Sequence, residues 1–259
     1  VVDFQSMPFS VLLLFVVNGG MLLFFAIFAV FIYPRRAVSE ETKNRPRSFV
    51  SNAVFREYWY CVIGPFKKKL VDWNVSPNTL TVWGLLLSIA AGYFFSIGEF
   101  GTGGWFVILA ATCDIYDGQL ARLRSIKLKS GAFLDSTLDR VGEVGIFYGL
   151  TRYFREDDPL FIVLFLGFAA SQVVSYSRSR AEGLGFPELG QRGFFQRAER
   201  MIVLSVSMSM APLFEHFWLL GDELVKFGIY FMCLGSTWTA VSRSAGIFRG
   251  MRKSEKNSA

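Results

Sequence analysis

Histidine is nearly missing from this chain: His216 is the single one, and the three cysteines, Cys61, Cys113 and Cys233, show no CxxC spacing. One histidine cannot build a histidine metal cluster. Three scattered thiols exclude an even disulfide framework and a thiolate zinc site. Cys113 and Cys233 fall inside apolar runs and read as packing residues. His216, in a Glu-His-Phe-Trp turn, reads as interfacial. Internal repeats and low-complexity segments are also lacking. The first apolar run is too long, and lacks the basic start, for a typical cleaved signal peptide.

Apolar residues dominate instead. They make up 52% of the 259 residues, more than a soluble domain of this length usually carries. They gather in runs at about 8–33, 79–97, 104–121, 132–151, 159–177, 200–214 and 224–242. A backbone in lipid must satisfy its own hydrogen bonds, so these runs predict seven spanning helices, of which 200–214 is the shortest. One polytopic membrane domain follows, not a soluble core with an anchor.

The net charge of +6 suggests nucleic acid only until the charges are placed. Segment 34–76 carries nine Lys and Arg, 122–130 four, 178–200 five and 243–259 five. If every run spans, all of these lie on one side. The opposite loops hold only Arg152, Arg155 and Lys226, beside several acids. The positive-inside bias then predicts a cytoplasmic C-terminus, an outside N-terminus and no nucleic-acid partner.

Segment 52–73 differs from the spans. Phe55, Tyr58, Trp59, Val62, Ile63 and Phe66 recur at helical spacing, interleaved with Arg56 and Lys67–Lys69. This pattern predicts an amphipathic helix on the cytoplasmic membrane face, after a polar linker at 34–51. Residues 249–259 are expected to be a disordered tail.

The stretch CDIYDGQLARLRSIKLKSGAFLDSTLDR carries the chemistry. Asp114 and Asp117 are three apart near the end of one span; Asp135 and Asp139 are four apart at the start of the next. Those spacings put each pair on one helical face, and the short connection makes the two helices antiparallel neighbours. Four carboxylates then converge. Unpaired, they would repel at great cost near lipid. An oxygen-only set favours Mg²⁺ or Mn²⁺, and two ions about 4 Å apart would suit displacement at phosphorus. Gly118 and Gly131, and less completely Ala121, clear space for a ligand or a neighbouring helix. Arg122, one turn beyond Asp117, is placed to clamp a phosphate. A structural acid cluster paired with Arg122, Arg140 and Lys129 is the blander alternative.

These residues fit D-x2-D-G-x2-A-R-x8-G-x3-D-x3-D at every fixed position and every spacing. The chain thereby resembles the CDP-alcohol phosphotransferases from about residue 52 to 248. The resemblance implies an all-α integral membrane fold: a six-helix bundle (79–242) preceded by the interfacial helix 52–73. The span within 1–33 is extra to that core. It implies transfer of a phosphoryl-linked group from a CDP-linked donor to an alcohol, with CMP leaving. Carried over, Asp114, Asp117 and Asp135 are metal ligands, and Asp139 is both ligand and base. Asn78 and Thr81 join Asp114, Gly118, Ala121, Arg122 and Gly131 around the nucleotide. By themselves, Ser76 to Thr81 read as a helix cap with proline in the first turn.

Arg178, Arg197 and Arg200 stand at helix ends on the same side. Alone they read equally well as headgroup-snorkelling residues. The resemblance, closest to the phosphatidylinositol-phosphate synthase branch, makes them the acceptor-phosphate site, under a glycine-rich loop at 183–195. Glu143 is left outside the site. The expected reaction moves the phosphatidyl group of CDP-diacylglycerol to inositol phosphate in a multi-pass homodimer whose site faces the cytoplasm. Alternatives are another acceptor (glycerol phosphate, serine, a second inositol phosphate unit), a soluble CDP-alcohol donor with a lipid acceptor, a divalent-cation transporter, or a membrane scaffold. Acids confined to one side argue against a transport path.

Overall fold

A computed structural model describes residues 9–43, 52–124, 128–190, 193 and 195–258, and every described element is helical. Helix α1 (Phe9–Ile27) continues through a π turn (Phe28–Ile32) into a 3-10 turn (Tyr33–Arg35). The short α2 (Glu40–Lys43) leads toward α3 (Ala53–Asp72). The bundle follows: α4 (Pro77–Ser96), α5 (Phe100–Leu123), α6 (Lys129–Tyr153), α7 (Asp158–Gly183), the short α8 (Pro187–Gly190), α9 (Arg197–Trp218) and α10 (Gly221–Ser258).

Local chemistry sets the starts. Asn52 accepts from the Phe55 amide at 2.9 Å to open α3, and Ser76 accepts from the Thr79 amide at 3.1 Å, with Pro77 in the first turn, to open α4. Asp157 caps α7. At α9, Gln196 and Glu199 form a reciprocal capping box.

Among the described residues, five helices are long and apolar enough to cross a membrane: α1 with its continuation, α4, α7, α9 and α10. The sequence pattern predicts seven. The other two, α5 and α6, have 24 and 25 residues, or about 36–38 Å of helix, enough for a hydrocarbon core of about 30 Å. Their charged residues lower their apolarity, and packing on α4 on two sides shields them. Helix α9 outgrows the short run 200–214. It gains a turn at each end from polar residues, Arg197 to Glu199 and Glu215 to His216, and stops at Leu219 in the left-handed region.

Helix α10 departs from expectation. Residues 249–258 continue it, where a disordered tail is expected. No proline or cap interrupts this stretch. Gly250 packs under the Leu189 side chain, and Lys256 suits a helix C-terminus electrostatically.

The core joins α4 to α10 through residues such as Phe95, Leu150, Leu164, Leu204 and Ile229. Lipid offers no hydrophobic drive between helices, so close backbone approach matters more. A Cβ on Gly92 of α4 would overlap the Gly145 carbonyl of α6, and one on Gly149 would overlap Gly92 in return. This crossing registers α6 on α4. Helix α5 then bridges to α9 across Gly104, whose absent side chain would meet the Ser209 backbone.

Helix α3 presents Tyr58 and Ile63 inward and leaves Phe66 exposed. The linker is tied to it by Glu57, which is almost fully buried. Its Oε1 accepts from the Ser39 amide at 3.0 Å, the Thr42 hydroxyl at 2.6 Å and the Ser39 hydroxyl, with Arg36 3.8 Å from Oε2. Residues 44–51, the rest of the expected linker, lie outside the described residues. Burial pushes the Glu57 carboxyl up; the hydrogen bonds of Ser39 and Thr42, with the Arg36 charge, outweigh burial and hold it below its ordinary 4.5. A folded value below the unfolded one stabilises the fold above pH 4.5, and that stability is lost as pH falls toward the lowered value. Thermal melts in detergent should therefore show an acid-side loss of stability that Glu57→Gln reduces. An identical pH profile in the variant would remove this role from Glu57.

Candidate active site

Helices α5 and α6 run antiparallel on α4 and bring their acidic ends together beside the start of α9. Asp114, Asp135 and Asp139, all half-buried, each offer a carboxylate oxygen within 4.8 Å of the others. Asp117 is buried behind them and accepts from the Thr81 hydroxyl at 2.8 Å. That hydroxyl also lies 3.2 Å from the Pro77 carbonyl, so Thr81 orients an aspartate from the capped first turn of α4.

Arg197, the first residue of α9, enters this cluster. Its Nη1 contacts Asp139 and lies 3.6 Å from Asp114. Asp135 keeps a buried oxygen, Oδ1, without a hydrogen-bond partner, and Arg197 keeps its Nε in the same condition. Three converging carboxylates, one with an orphaned oxygen, match the all-oxygen donor set of a hard divalent cation. Here the guanidinium supplies part of the compensating charge. Arg140 does not fill that role: it donates to the Ser136 carbonyl.

A second charge pair lies one turn deeper. Glu143 of α6 and Arg200 of α9 are fully buried and meet at 2.9–3.0 Å. Asp139 and Glu143 thus face Arg197 and Arg200 as two stacked rungs between α6 and α9. The Arg200 side chain is 0% exposed, with Glu143 against it, and its Nη1 has no hydrogen-bond partner. It also gives Glu143 a partner that its own helix does not reveal.

The nucleotide candidates line one rim. Asn78 is exposed, and its Oδ1 would lie 3.5 Å from a Cβ on Gly131. The Arg122 guanidinium folds back to 3.4 Å from where a Gly118 Cβ would stand, with Ala121 half-buried beside them. Arg178 is half-exposed and paired with Glu182 at 2.9 Å. Within 183–195, Gly190 packs against the Arg178 backbone; residues 191, 192 and 194 lie outside the described residues.

Sequence reasoning missed Arg243. It is buried on α10, donates to the Val174 carbonyl at 2.9 Å, and lies under Gly193, where a Cβ would overlap its guanidinium. It is within electrostatic reach of Arg178 and Arg200. Its signal in the sequence is a lone arginine directly after an apolar run, which reads as one more basic residue on that side.

The chain is similar in sequence and fold to known proteins. Residues 74–221 match the family model described as CDP-alcohol phosphatidyltransferase. The chain is 33% identical over 203 residues to the phosphatidylinositol phosphate synthase of Streptomyces avermitilis, covering 76% of this chain and 82% of that one. It is 34% identical over 178 residues to the archaetidylinositol phosphate synthase of Pyrococcus horikoshii, covering 68% and 85%. The crystal structure of Mycobacterium tuberculosis phosphatidylinositol phosphate synthase with CDP-DAG bound superposes with a TM-score of 0.63 at 28% identity, over 71% of this chain and 92% of that one. The same enzyme in complex with manganese and citrate superposes equally, over 71% and 88%.

The Arg197 contact predicts a competition. Mn²⁺ should raise the melting temperature of the purified protein in detergent. Arg197→Ala should melt lower without metal and show the larger metal-induced rise, because its carboxylates have lost their compensating charge. A melt indifferent to Mn²⁺ in both proteins would count against cation binding here.

Proposed function

The chain belongs to the CDP-alcohol phosphatidyltransferase family, and on that premise we propose that it transfers the phosphatidyl group of CDP-diacylglycerol to a hydroxyl of inositol phosphate, releasing CMP. The observation that carries this reading is the convergence of Asp114, Asp135 and Asp139, with Arg197 beside them, at one end of a bundle of membrane-crossing helices. The named activities of the relatives and the CDP-DAG and manganese in the related crystal structures support the donor, the acceptor and the metal.

In this reading Asp114, Asp117, Asp135 and Asp139 hold Mg²⁺ or Mn²⁺, two ions in all. The bound metal supplies charge compensation for the diphosphate and the leaving CMP. Thr81 keeps Asp117 turned toward the cluster. Asn78, Gly118, Ala121, Arg122 and Gly131 receive the nucleotide: the small residues let it approach the backbone, and Arg122 meets a phosphate. Asp139 takes the proton of the acceptor hydroxyl, which is a poor nucleophile until deprotonated. The acceptor oxygen bonds to the phosphorus that carries the diacylglycerol, and the bond from that phosphorus to the bridging oxygen breaks. The departing oxygen stays with CMP.

Arg178 and Arg243 hold the phosphate already on the acceptor, with Arg197 between that site and the carboxylates. Guanidinium groups from three helices suit a phosphorylated acceptor better than a neutral one. Arg200 supports them from below through Glu143. The protein is an integral membrane protein. We place the site on the cytoplasmic side, because the basic segments share the end of the bundle that carries the aspartates. We place two copies in the working assembly on the strength of the family resemblance.

Purified protein given CDP-diacylglycerol, Mn²⁺ and inositol phosphate should release CMP. Asp139→Asn should lower the rate by about 10²–10⁴-fold, the usual contribution of a general base. No CMP with any acceptor, or full activity in Asp139→Asn, would sink the reading. Arg243→Ala should raise KM for inositol phosphate about ten- to a hundredfold, as expected for a lost charge-assisted hydrogen bond. An unchanged KM would remove Arg243 from the acceptor site.

A further inference from the structure

The helix that precedes the family core stands apart from the bundle along part of its length. Helix α1 touches α9 near its outer half: the Asn18 amide donates to the Ser209 carbonyl at 3.1 Å, and Phe15 packs on Phe217. Toward its other end it is held by α3. The Tyr58 hydroxyl donates to the Met21 carbonyl at 2.7 Å, and Phe24, Phe25 and Phe28 ring the same tyrosine. Between these attachments lies a cavity of about 820 Å³. Met21, Leu22 and Phe25 line it from α1, facing Val107 and Ala111 of α5 and Ile202 of α9.

The cavity has charged residues at one end. Asp114 and Arg197 border one end, and Ser209 borders the other. Twelve residues of α9 separate Arg197 from Ser209, about 18 Å at 1.5 Å per residue. That is a little over half of a hydrocarbon core of about 30 Å, the depth of one lipid leaflet. The volume lies in the range, about 300–1,000 Å³, of pockets that enclose a ligand. Its lining is mostly apolar away from the charged end. The space therefore fits a molecule with a phosphate-bearing head at the aspartates and a hydrocarbon tail running into the membrane.

We infer that α1 is the outer wall of the acyl-chain site for the lipid donor, and that Met21, Leu22 and Phe25 set which chains it accepts. This deepens the phosphatidyl-transfer reading and rests on it. The family match begins at residue 74, so α1 adds a wall outside the matched region. Asn18 and Tyr58 are positioning residues: they space α1 from α5 by gripping α9 and α3. The opposite face of α1, with Leu13, Val16 and Leu23, stays exposed to lipid.

The test uses the full chain in detergent–lipid micelles and a CDP-diacylglycerol carrying a photoreactive group at the far end of one acyl chain. Adducts mapped by mass spectrometry should fall on α1 between Asn18 and Phe25 as well as on α9, and unlabelled CDP-diacylglycerol should displace them. Adducts absent from α1 overturn the inference. So do α1 adducts displaced by ordinary phosphatidylcholine but not by the unlabelled donor, which would mark a bulk-lipid groove. In a second arm, Met21→Trp narrows the cavity and Met21→Ala widens it. The ratio of kcat/KM for a long-chain over a short-chain donor should fall about tenfold in the first and rise in the second, since small changes in an apolar pocket alter selectivity by about 10–200-fold. A wild-type ratio in both variants overturns the inference. If no acceptor yields CMP while donor-displaceable α1 adducts still form, the reaction reading fails and the lipid site stands.

Discussion

Gathering four carboxylates at the edge of a low-dielectric layer is the constraint on which the rest of this structure depends. Each aspartate near lipid loses hydration, and each raises the electrostatic cost of the next. The surroundings are arranged against that cost. Thr81 donates to the most buried member, Asp117, and Arg197 reaches in from the start of α9 to Asp114 and Asp139. Beneath them the Glu143–Arg200 pair fixes α9 on α6 at the depth where water no longer helps. Breaking such a buried pair from one side would leave an uncompensated charge, costing about 3–5 kcal/mol. The pair is thus a strong geometric lock whatever its net contribution to stability.

The glycine crossings serve the same end. Contact between Gly92 and Gly149 brings α4 and α6 together at backbone distance, which keeps Thr81 and the α6 aspartates at one level. Without hydrophobic drive between helices, registry has to come from such close approaches and from charge pairs. The site is accordingly assembled from rigid helical segments, with its donors drawn from the ends of α4, α5, α6 and α9.

Much of this was legible in the sequence because it is local. The Asp114/Asp117 and Asp135/Asp139 spacings, the Ser76–Pro77 cap and the amphipathic stretch 52–73 each depend on periods of three or four residues within one helix. What escaped depends on other helices. Arg200 looked like a surface arginine because its partner, Glu143, is 57 residues away on α6. Arg243 looked like one more cytoplasmic charge because its burial is created by Gly193 and Val174. Both end turns of α9 lie outside the apolar run 200–214, because polar residues there end the run without ending the helix. The polarity of the tail after 248 predicts disorder, but polarity says nothing against continuing an existing helix.

The Asn18–Ser209 hydrogen bond joins residues 191 positions apart. Chains are synthesised at about 5–20 residues per second, so α1 waits about 10–40 s for the carbonyl that accepts its amide. During that interval an asparagine side chain sits in a helix that has left the ribosome without its final neighbour. The α1 wall therefore closes late in biogenesis, after α5, α6 and most of α9 have emerged. A nascent chain stalled before residue 209 would hold all four aspartates, yet it would lack the outer clasp that joins its first helix to the bundle.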